Sequence, residues 1–228
     1  MTAQLPLALH LPPGCTFDDF VADANPALPA QLKALARGET EQLYLHGPAG
    51  SGKSHLLLAT LDHARGLGRE GLYLPLAELA DQPPALLEGL ESYPLLACDD
   101  LQAVAGRREW EETLFHLYNR ARGAGAHLLF AADRPPGALP LSLPDLGSRL
   151  AWGAVHAIQP LDDPGREELL QRHARRLGLE LHPAAARWMV TRCSRDPRQL
   201  TALLQRLDRA ALAAGRRLTL PFVREQLG

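Results

Sequence analysis

The chain contains 228 residues, of which 46% are hydrophobic and 22% are charged, and its formal net charge at pH 7 is -2. This length allows one α/β domain with a sizeable core and a small appendage. The near-neutral charge gives no sign of a nucleic-acid partner, and no apolar run approaches the roughly 20 residues that span a bilayer. Because the N-terminus also lacks the pattern of a secretory signal, we expect a cytoplasmic globular protein without a membrane segment.

Cysteine usage and charge distribution add two expectations. Cys15, Cys98 and Cys193 are far apart and form no C-x-x-C pair, which predicts reduced, packed thiols and neither disulfides nor a zinc site. Residues 161–228 contain 13 Arg and 8 acidic residues, whereas residues 1–160 contain 11 basic and 18 acidic ones. The basic C-terminal third is typical either of solvated helix faces or of a surface that faces a nucleotide or an acidic partner.

The first predicted elements lead into a glycine-rich loop. Residues 1–16 alternate apolar with other residues but contain three Pro and a Gly, which favours an extended tail over a core strand. We predict a short helix over residues 30–37 and the first strand over residues 42–46. That strand runs directly into GPAGSGKS, and the pattern after it predicts a helix from residue 53 to about residue 64, ended by the glycines at 66–71.

Four further apolar runs are short, bounded by turn residues and separated by helical patterns, which is typical of buried parallel strands. They cover residues 72–76, 94–98, 126–132 and 155–158. Before the third of these runs, apolar residues spaced i, i+4, i+7, i+8 and i+11 predict an amphipathic helix whose aromatic side chains belong to the core. These positions are Trp110, Leu114, Leu117, Tyr118 and Ala121.

The strand pattern stops after Asp163, and three helices are predicted with Pro164, Pro183 and Pro197 in their first turns, where no backbone N–H is needed. The whole pattern predicts an α/β fold with a five-stranded parallel sheet, followed by a small all-helical domain. The predicted segments are an extended tail over residues 1–16, a nucleotide-binding base domain over residues 17–160 and a helical lid domain over residues 161–228.

Residues 47–54, GPAGSGKS, fit the pattern G-x-x-x-x-G-K-[ST] in full. Glycines let consecutive backbone N–H groups converge on phosphate oxygens, and the helix that starts there adds the positive end of its dipole. We expect Lys53 to reach the β- and γ-phosphates and the Ser54 hydroxyl to bind Mg²⁺, with a chance glycine turn as the alternative. The predicted nucleotide-binding residues are Gly47, Gly50, Ser51, Gly52, Lys53, Ser54 and His55.

The run LLACDD delivers two carboxylates at the end of a predicted strand, where ligands lie in open α/β sheets. We expect Asp99 to hold Mg²⁺ through water and Asp100 to orient an attacking water. Paired Asp residues alone are also typical of a helix cap or a turn. The complete P-loop about 45 residues earlier favours the nucleotide interpretation.

Five stretches carry a family resemblance that is more specific than the P-loop. They are LYNRARGAG before the fourth predicted strand, LLFAADRPP along it, LPDLGSRLAWG after it, IQPLDD at the domain junction and LTLPFVREQL at the C-terminus. Together they resemble the Hda-type regulatory inactivators, which are AAA+ relatives of the bacterial replication initiator DnaA. The resemblance implies an AAA+ base domain with a lid, and ADP or ATP with Mg²⁺ as cofactors.

The resemblance also implies roles for residues outside the P-loop. Asp133 matches the first sensor, beside the γ-phosphate, although an Asp before Arg-Pro-Pro is also typical of a turn. Arg149 matches the arginine finger that this family offers to the nucleotide of a neighbouring subunit, and Arg198 matches the second sensor of the lid. A surface ion pair is the alternative for either Arg. Residues 17–25 take the place where the family contacts adenine.

The N-terminal tail resembles the sliding-clamp-binding motif of the family, with Gln4 as a hydrogen-bonding anchor and Leu5, Leu7 and Leu9 as apolar contacts. Exposed leucines in a Pro-rich tail need an apolar partner, and a disordered or self-packed terminus is the alternative. Family members usually have Pro at the fifth place of the motif, whereas Pro6 occupies the third.

The leading interpretation is a regulatory adaptor that meets DnaA and the DNA-loaded sliding clamp and stimulates hydrolysis of DnaA-bound ATP. DnaA continues beyond its lid into a helix-turn-helix domain, and this chain ends at Gly228, so we expect no sequence-specific DNA reading. Two alternatives remain: an autonomous ATPase that loads a helicase or remodels DNA, and a clamp-binding scaffold with a structural nucleotide. The resident nucleotide stays open, as does the oligomeric state, including a homo-oligomer.

Overall fold

The computed structural model describes residues 15–21 and 25–227. Their contacts divide the chain into two compact units. Among the described residues, the base unit contains 15–17, 25–49 and 53–158, and the helical unit contains 159–227 together with the short segments 18–21 and 50–52. The proposed clamp-binding residues Gln4, Leu5, Leu7 and Leu9 lie outside the described residues.

The base unit is built on a parallel sheet of five strands in the order β2-β3-β4-β1-β5, which confirms the predicted fold class. The strands are β1 (Gln42–His46), β2 (Leu72–Pro75), β3 (Leu95–Asp99), β4 (His127–Ala132) and β5 (Ala154–Ala157). Parallel neighbours need crossover connections, so the carboxyl ends of all five strands meet at one edge. Each strand begins and ends within one residue of its predicted position.

The prediction that every strand is buried is wrong for β5. Val155 is 39% exposed, and no residue of β5 is fully buried. The reason is its place at the end of the sheet, where β1 is its one strand neighbour in the described part of the chain. A four-residue apolar run in the sequence does not reveal whether its strand is central or at an edge.

Helices cover the sheet and supply most of the remaining core. They are α1 (Leu28–Arg37), α2 (Lys53–Gly66), the short α3 (Leu76–Leu79), α4 (Arg108–Gly123) and α5 (Pro144–Leu150). On α4, Trp110 and Tyr118 are buried in one apolar cluster with residues of β3 and β4, as the amphipathic spacing predicts. The same helix begins with acidic residues and ends with Arg120 and Arg122, which complements its dipole.

The helical unit contains four helices in the described residues, one more than predicted. They are α6 (Asp163–Arg176), α7 (Pro183–Arg192), α8 (Pro197–Ala214) and α9 (Leu220–Leu227). The first three combine an early Pro with a side-chain N-cap from Asp162, His182 and Asp196, and this pairing stabilises a helix start. The fourth helix, α9, joins the unit by burying Phe222 and Val223.

Two smaller points concern the thiols and the membrane. Cys15, Cys98 and Cys193 form no disulfide in the described part of the chain. Cys98 is buried as expected, whereas Cys193 is exposed, so the expectation of a packed thiol is wrong there. Within residues 15–21 and 25–227, no helix combines the length and apolar character needed to cross a bilayer.

Candidate functional site

The candidate site lies where three neighbouring strands end. The P-loop follows β1, Asp99 ends β3, and Asp133 follows β4, which is the strand between them. Strand order therefore brings these three segments to one edge of the sheet, although they are far apart in sequence. This edge is where open α/β sheets bind their ligands.

The P-loop backbone depends on two glycines in the left-handed region. Gly50 has φ of 75° and Gly52 has φ of 98°, which residues with a Cβ adopt only at a cost. A Cβ on Gly52 would also approach the Phe20 ring to 3.2 Å. Ser51 Oγ is buried without a hydrogen-bond partner in the described residues. A buried hydroxyl usually has a partner, and an anionic oxygen in the loop would satisfy it.

Lys53 is buried in the base of this loop. Its side chain begins α2, and the residue is 7% exposed. Its Nζ donates to the carbonyl oxygens of Gly47 at 2.7 Å and Pro48 at 3.0 Å. A buried ammonium beside a loop of backbone N–H groups makes the loop electropositive, which favours binding of an anion. This geometry fits a nucleotide phosphate.

The two predicted magnesium ligands are connected through Tyr73 of β2. The Tyr73 hydroxyl donates to Asp99 Oδ2 at 2.7 Å and is also hydrogen-bonded to Ser54. Asp99 is fully buried, and its Oδ1 accepts from the Asp100 N–H at 2.9 Å. A carboxylate and a hydroxyl side by side are suitable oxygen donors for Mg²⁺ that also binds phosphate and water, so the residues present fit this ion.

Burial and the carboxylate of Asp99 raise the pKa of Tyr73 well above its usual value. The phenol therefore keeps its proton at neutral pH and stays a donor to Asp99. Tyr73 could not be predicted from the sequence, because no sequence motif marks the pairing of β2 with β3 that places it beside Asp99.

Asp100 and Asp133 are joined by one amide side chain. Gln102 Nε2 donates to Asp100 Oδ1 at 2.8 Å, and Gln102 Oε1 accepts from the Asp133 N–H at 3.1 Å. Asp100 itself has φ of 56°, the one positive φ outside glycine in the described residues. The left-handed backbone turns the chain sharply after β3 and starts the 3₁₀ turn that carries Gln102. The role of Gln102 could not be predicted from the sequence, because this residue belongs to no recognised motif.

The Asp133 carboxylate is paired with the next residue. Arg134 donates to both of its oxygens at 2.8 Å. This guanidinium holds the pKa of Asp133 below its usual value, and Lys53 acts in the same direction. Asp133 is therefore ionised at neutral pH and within electrostatic reach of the P-loop lysine. Its role as a first sensor stays a prediction.

His46 ends β1 immediately before the P-loop. Burial, followed by the positive charge of Lys53, lowers the pKa of His46 below its usual value. The imidazole is consequently neutral at neutral pH and adds no second cation beside Lys53. His55, predicted to bind nucleotide, has its Nε2 2.8 Å from the Thr16 carbonyl oxygen.

The two arginines that the resemblance singles out lie on separate helices. Arg149 is on α5 of the base unit, where its guanidinium lies 5.9 Å from the centre of the Tyr118 ring. It is exposed and forms no ion pair with any residue that the structure describes. Arg198 begins α8 of the helical unit, and its backbone N–H donates to the Asp196 cap at 2.9 Å. Contact of Arg198 with a phosphate stays a prediction.

Two family models match the chain. Residues 163–227 match the lid domain of Hda, and residues 80–157 match the bacterial DnaA ATPase domain. Residues 158–162 separate the two matches and contain the border in sequence between the base unit and the helical unit.

Solved structures show the same fold. Domain III of the Thermotoga maritima replication initiation protein DnaA is 22% identical, with a TM-score of 0.80 over 95% of this chain and 96% of that one. AMPPCP-bound DnaA from Aquifex aeolicus is 23% identical, with a TM-score of 0.71 over 87% of this chain and 66% of that one. The Thermotoga maritima RuvB Holliday junction branch migration motor is 20% identical, with a TM-score of 0.65 over 93% and 70%. The chain thus spans about two thirds of the Aquifex DnaA chain.

Proposed function

Because this chain is an Hda-type, DnaA-related AAA+ protein, we propose that it is a nucleotide-bound adaptor that negatively regulates the initiation of bacterial DNA replication. In this role it meets DnaA on a DNA-loaded sliding clamp and places Arg149 in the ATP site of DnaA. Hydrolysis then takes place in the partner.

The observation that carries this proposal is the state of Arg149. Most exposed arginines of the base unit are paired with a carboxylate, for example Arg108 with Glu112 and Arg134 with Asp133. Arg149 instead rests on the Tyr118 ring and is exposed. A guanidinium without a carboxylate partner can form two parallel hydrogen bonds to a phosphate that another protein holds.

Arg149 acts on charge that develops in the transition state. Phosphoryl transfer spreads negative charge over the equatorial oxygens, and a guanidinium positioned there stabilises it. Arginine fingers contribute about 10³ to 10⁵ in rate, equivalent to ~4 to 7 kcal/mol of transition-state stabilisation. One side chain is therefore sufficient to switch a slow ATPase to fast hydrolysis.

The nucleotide of this chain, ADP or ATP, has a different role in the proposal. The P-loop N–H groups and Lys53 bind its phosphates, and Ser54 and Asp99 hold the accompanying ion. Mg²⁺, when bound, neutralises phosphate charge and orients the phosphate oxygens. Occupied in this way, the P-loop ties β1 to α2 and stabilises the folded state by mass action.

The clamp contact is assigned to Gln4, Leu5, Leu7 and Leu9 of the tail, which belong to the proposal through the sequence resemblance alone. Tethering two proteins on one clamp raises their effective concentration to the millimolar range for short flexible connections. A weak direct contact with DnaA then suffices, and no sequence-specific DNA reading by this chain is needed.

The test is reconstitution of hydrolysis. DnaA loaded with labelled ATP is incubated with this protein, clamp and DNA, and each component is left out in turn. We expect fast hydrolysis only in the complete mixture and its loss with Arg149→Ala, while nucleotide binding by the variant is unchanged. Arg108→Ala, which removes another exposed arginine of the base unit, serves as the control. Full stimulation by Arg149→Ala would remove the arginine finger from the proposal.

A second candidate function is autonomous ATP hydrolysis, which the Asp100, Gln102 and Asp133 connection favours. In this alternative, Asp100 orients a water next to the chain's own nucleotide. Steady-state hydrolysis by the purified protein separates the two candidates. Turnover that is lost with Asp100→Asn and is unaffected by DnaA or clamp supports the second candidate, and absence of turnover supports the adaptor.

A further inference from the structure

The helix that carries Arg149 is not stable by its own composition. It is seven residues long and contains Pro144, Gly147 and Ser148. Helices this short are marginal in water, and Gly and Ser disfavour the helical state further. The position of Arg149 therefore depends on contacts from other elements.

One such contact is at the amino end of α5. Glu111 of α4 is completely buried. Its Oε2 accepts from the Leu143 N–H at 2.7 Å, and its Oε1 accepts from the N–H groups of Ser142 at 3.1 Å and Gly106 at 2.6 Å. A buried carboxylate is costly unless donors satisfy it, so Glu111 and this segment hold each other in place.

A second contact is at the carboxyl end. Gln42, the first residue of β1, is 1% exposed. Its Nε2 lies 2.9 Å from the Arg149 carbonyl oxygen, 3.2 Å from that of Leu150 and 2.5 Å from that of Trp152. The last carbonyls of a helix have no partner within the helix, and the Gln42 amide supplies one.

Two observations indicate that this contact is specific. Gln42 Oε1 is buried and has no hydrogen-bond partner in the described residues, so the donor group alone accounts for a buried amide at this position. Gly153, which follows the segment, has φ of 91°, and a Cβ there would come within 2.8 Å of the Gln42 carbonyl oxygen. The chain therefore passes Gln42 at a distance that requires glycine.

We infer that Gln42 and Glu111 are positioning residues for Arg149, fixing the two ends of α5 so that the guanidinium meets a partner's phosphate in the productive geometry. This rests on the proposed function of Arg149. Neither residue belongs to the P-loop; each acts through the backbone at an end of α5. A misplacement of about 1 Å of a positioned group costs as much as about 10²-fold in rate.

The experiment uses Gln42→Met in the full-length protein, which keeps the side-chain length and removes the donor. We expect the maximal rate of DnaA-bound ATP hydrolysis to fall by about 10- to 10²-fold, while the concentration for half-maximal stimulation and the ADP affinity of the variant are unchanged. Thr60→Val is the matched control, because Thr60 is equally buried and its Oγ1 donates to the Leu56 carbonyl oxygen at 2.7 Å, away from α5.

A double variant separates positioning from general stability. If Gln42 acts only through Arg149, adding Gln42→Met to Arg149→Ala lowers the rate no further. A second, activity-independent readout is hydrogen exchange of the Ala151 and Trp152 amides, which close the last turn of α5 by donating to the Gly147 and Arg149 carbonyls. We expect both to exchange faster in Gln42→Met.

The outcomes are distinct. Unchanged hydrolysis and unchanged exchange in Gln42→Met overturn the inference while Arg149→Ala still tests the finger. Additive losses in the double variant also overturn it. No loss with Arg149→Ala overturns the proposed function instead. Should Gln42→Met fail to fold, Glu111→Gln, which keeps one acceptor oxygen at the other end of α5, is measured in the same way, and full activity there overturns the inference.

Discussion

Strand β1 helps to position two functional groups, the P-loop lysine and Arg149, and does so differently at its two ends. At the carboxyl end, the chain turns into the P-loop, and Lys53 is held by the carbonyl oxygens of Gly47 and Pro48, a few residues away. At the amino end, the Gln42 side chain holds the last turn of α5, more than 100 residues later.

This difference separates local from long-range positioning. Lys53 is hydrogen-bonded to the backbone of its own loop. Arg149 is placed by two buried polar side chains from different elements. Nucleotide binding and the proposed action on DnaA should therefore respond to different substitutions. Three measurements test whether they do, and a fourth tests the stability of the base unit.

The largest expected effect is that of Arg149→Lys. Arginine fingers contribute about 10³ to 10⁵ in rate, and we expect most of this factor to be lost because a lysine ammonium cannot form two parallel hydrogen bonds to phosphate. Single-turnover hydrolysis of DnaA-bound ATP measures the loss, with ADP affinity of the variant as the internal control. Equal stimulation by Lys and Arg would mean that charge alone matters at this position.

Lys53→Ala should lower the nucleotide affinity of this chain, which Arg149→Lys leaves unchanged. Hydrogen bonds to charged groups contribute about 1.5 to 3 kcal/mol, so we expect nucleotide affinity to fall by about 10- to 10²-fold. Isothermal titration with ADP and with ATP plus Mg²⁺ gives the affinities. Arg65→Ala, which removes an exposed cation from the far end of the same helix, is the control. An unchanged affinity would argue against phosphate binding by the loop.

An effect of similar size, but confined to the metal, is expected for Tyr73→Phe. This change removes the hydroxyl that connects Ser54 and Asp99, and loss of a partner that orients metal ligands typically costs about 10- to 100-fold in metal affinity. The Mg²⁺ concentration needed for half-maximal ATP binding should rise, with little change in metal-free ADP binding. Tyr93→Phe removes a phenol hydroxyl elsewhere in the base unit. The same Mg²⁺ dependence in both variants would contradict the role of Tyr73 in orienting Ser54 and Asp99.

The smallest effect concerns pH. Burial lowers the pKa of His156 on β5 below its usual value, and burial with Lys53 does the same for His46. The unfolded state, with a His pKa of about 6.5, then binds more protons than the folded state as pH falls. The contribution of these histidines to the free energy of unfolding is therefore complete above about pH 6.5 and decreases as the pH falls below it.

Urea unfolding between pH 7.5 and 5.5 measures this decrease. His156→Leu should reduce the slope of the free energy of unfolding against pH, whereas His116→Leu, at an exposed position of α4, should leave that slope unchanged. A slope that is the same in both variants would show that His156 does not contribute.

The sequence predicts the features that are local. The P-loop and the position of Asp99 follow from a pattern of glycines and an apolar run, because each is formed within a few neighbouring residues. The strand positions are equally local, and each agrees within one residue.

Features that depend on strand register are not predictable in this way. Tyr73 meets Asp99 because β2 pairs with β3. Gln42 meets α5 because the first residue of β1 lies beside the last turn of that helix. Glu111 looks like an ordinary polar residue of an amphipathic helix until its three backbone donors are seen. Each is a single polar residue whose partner is set by tertiary packing, and a single sequence contains no record of that pairing.

The left-handed backbone of Asp100 has an evolutionary consequence. An L-residue in this conformation costs on the order of 1 kcal/mol compared with glycine, and Asp100 has φ of 56°. Asp100→Gly would relax the turn and also delete the carboxylate that accepts from Gln102. The strain relieved and the hydrogen bond lost are of similar size, about 1 kcal/mol, so a selection for heat resistance alone would be nearly neutral at this position, whereas one that also demands water activation would reject the replacement.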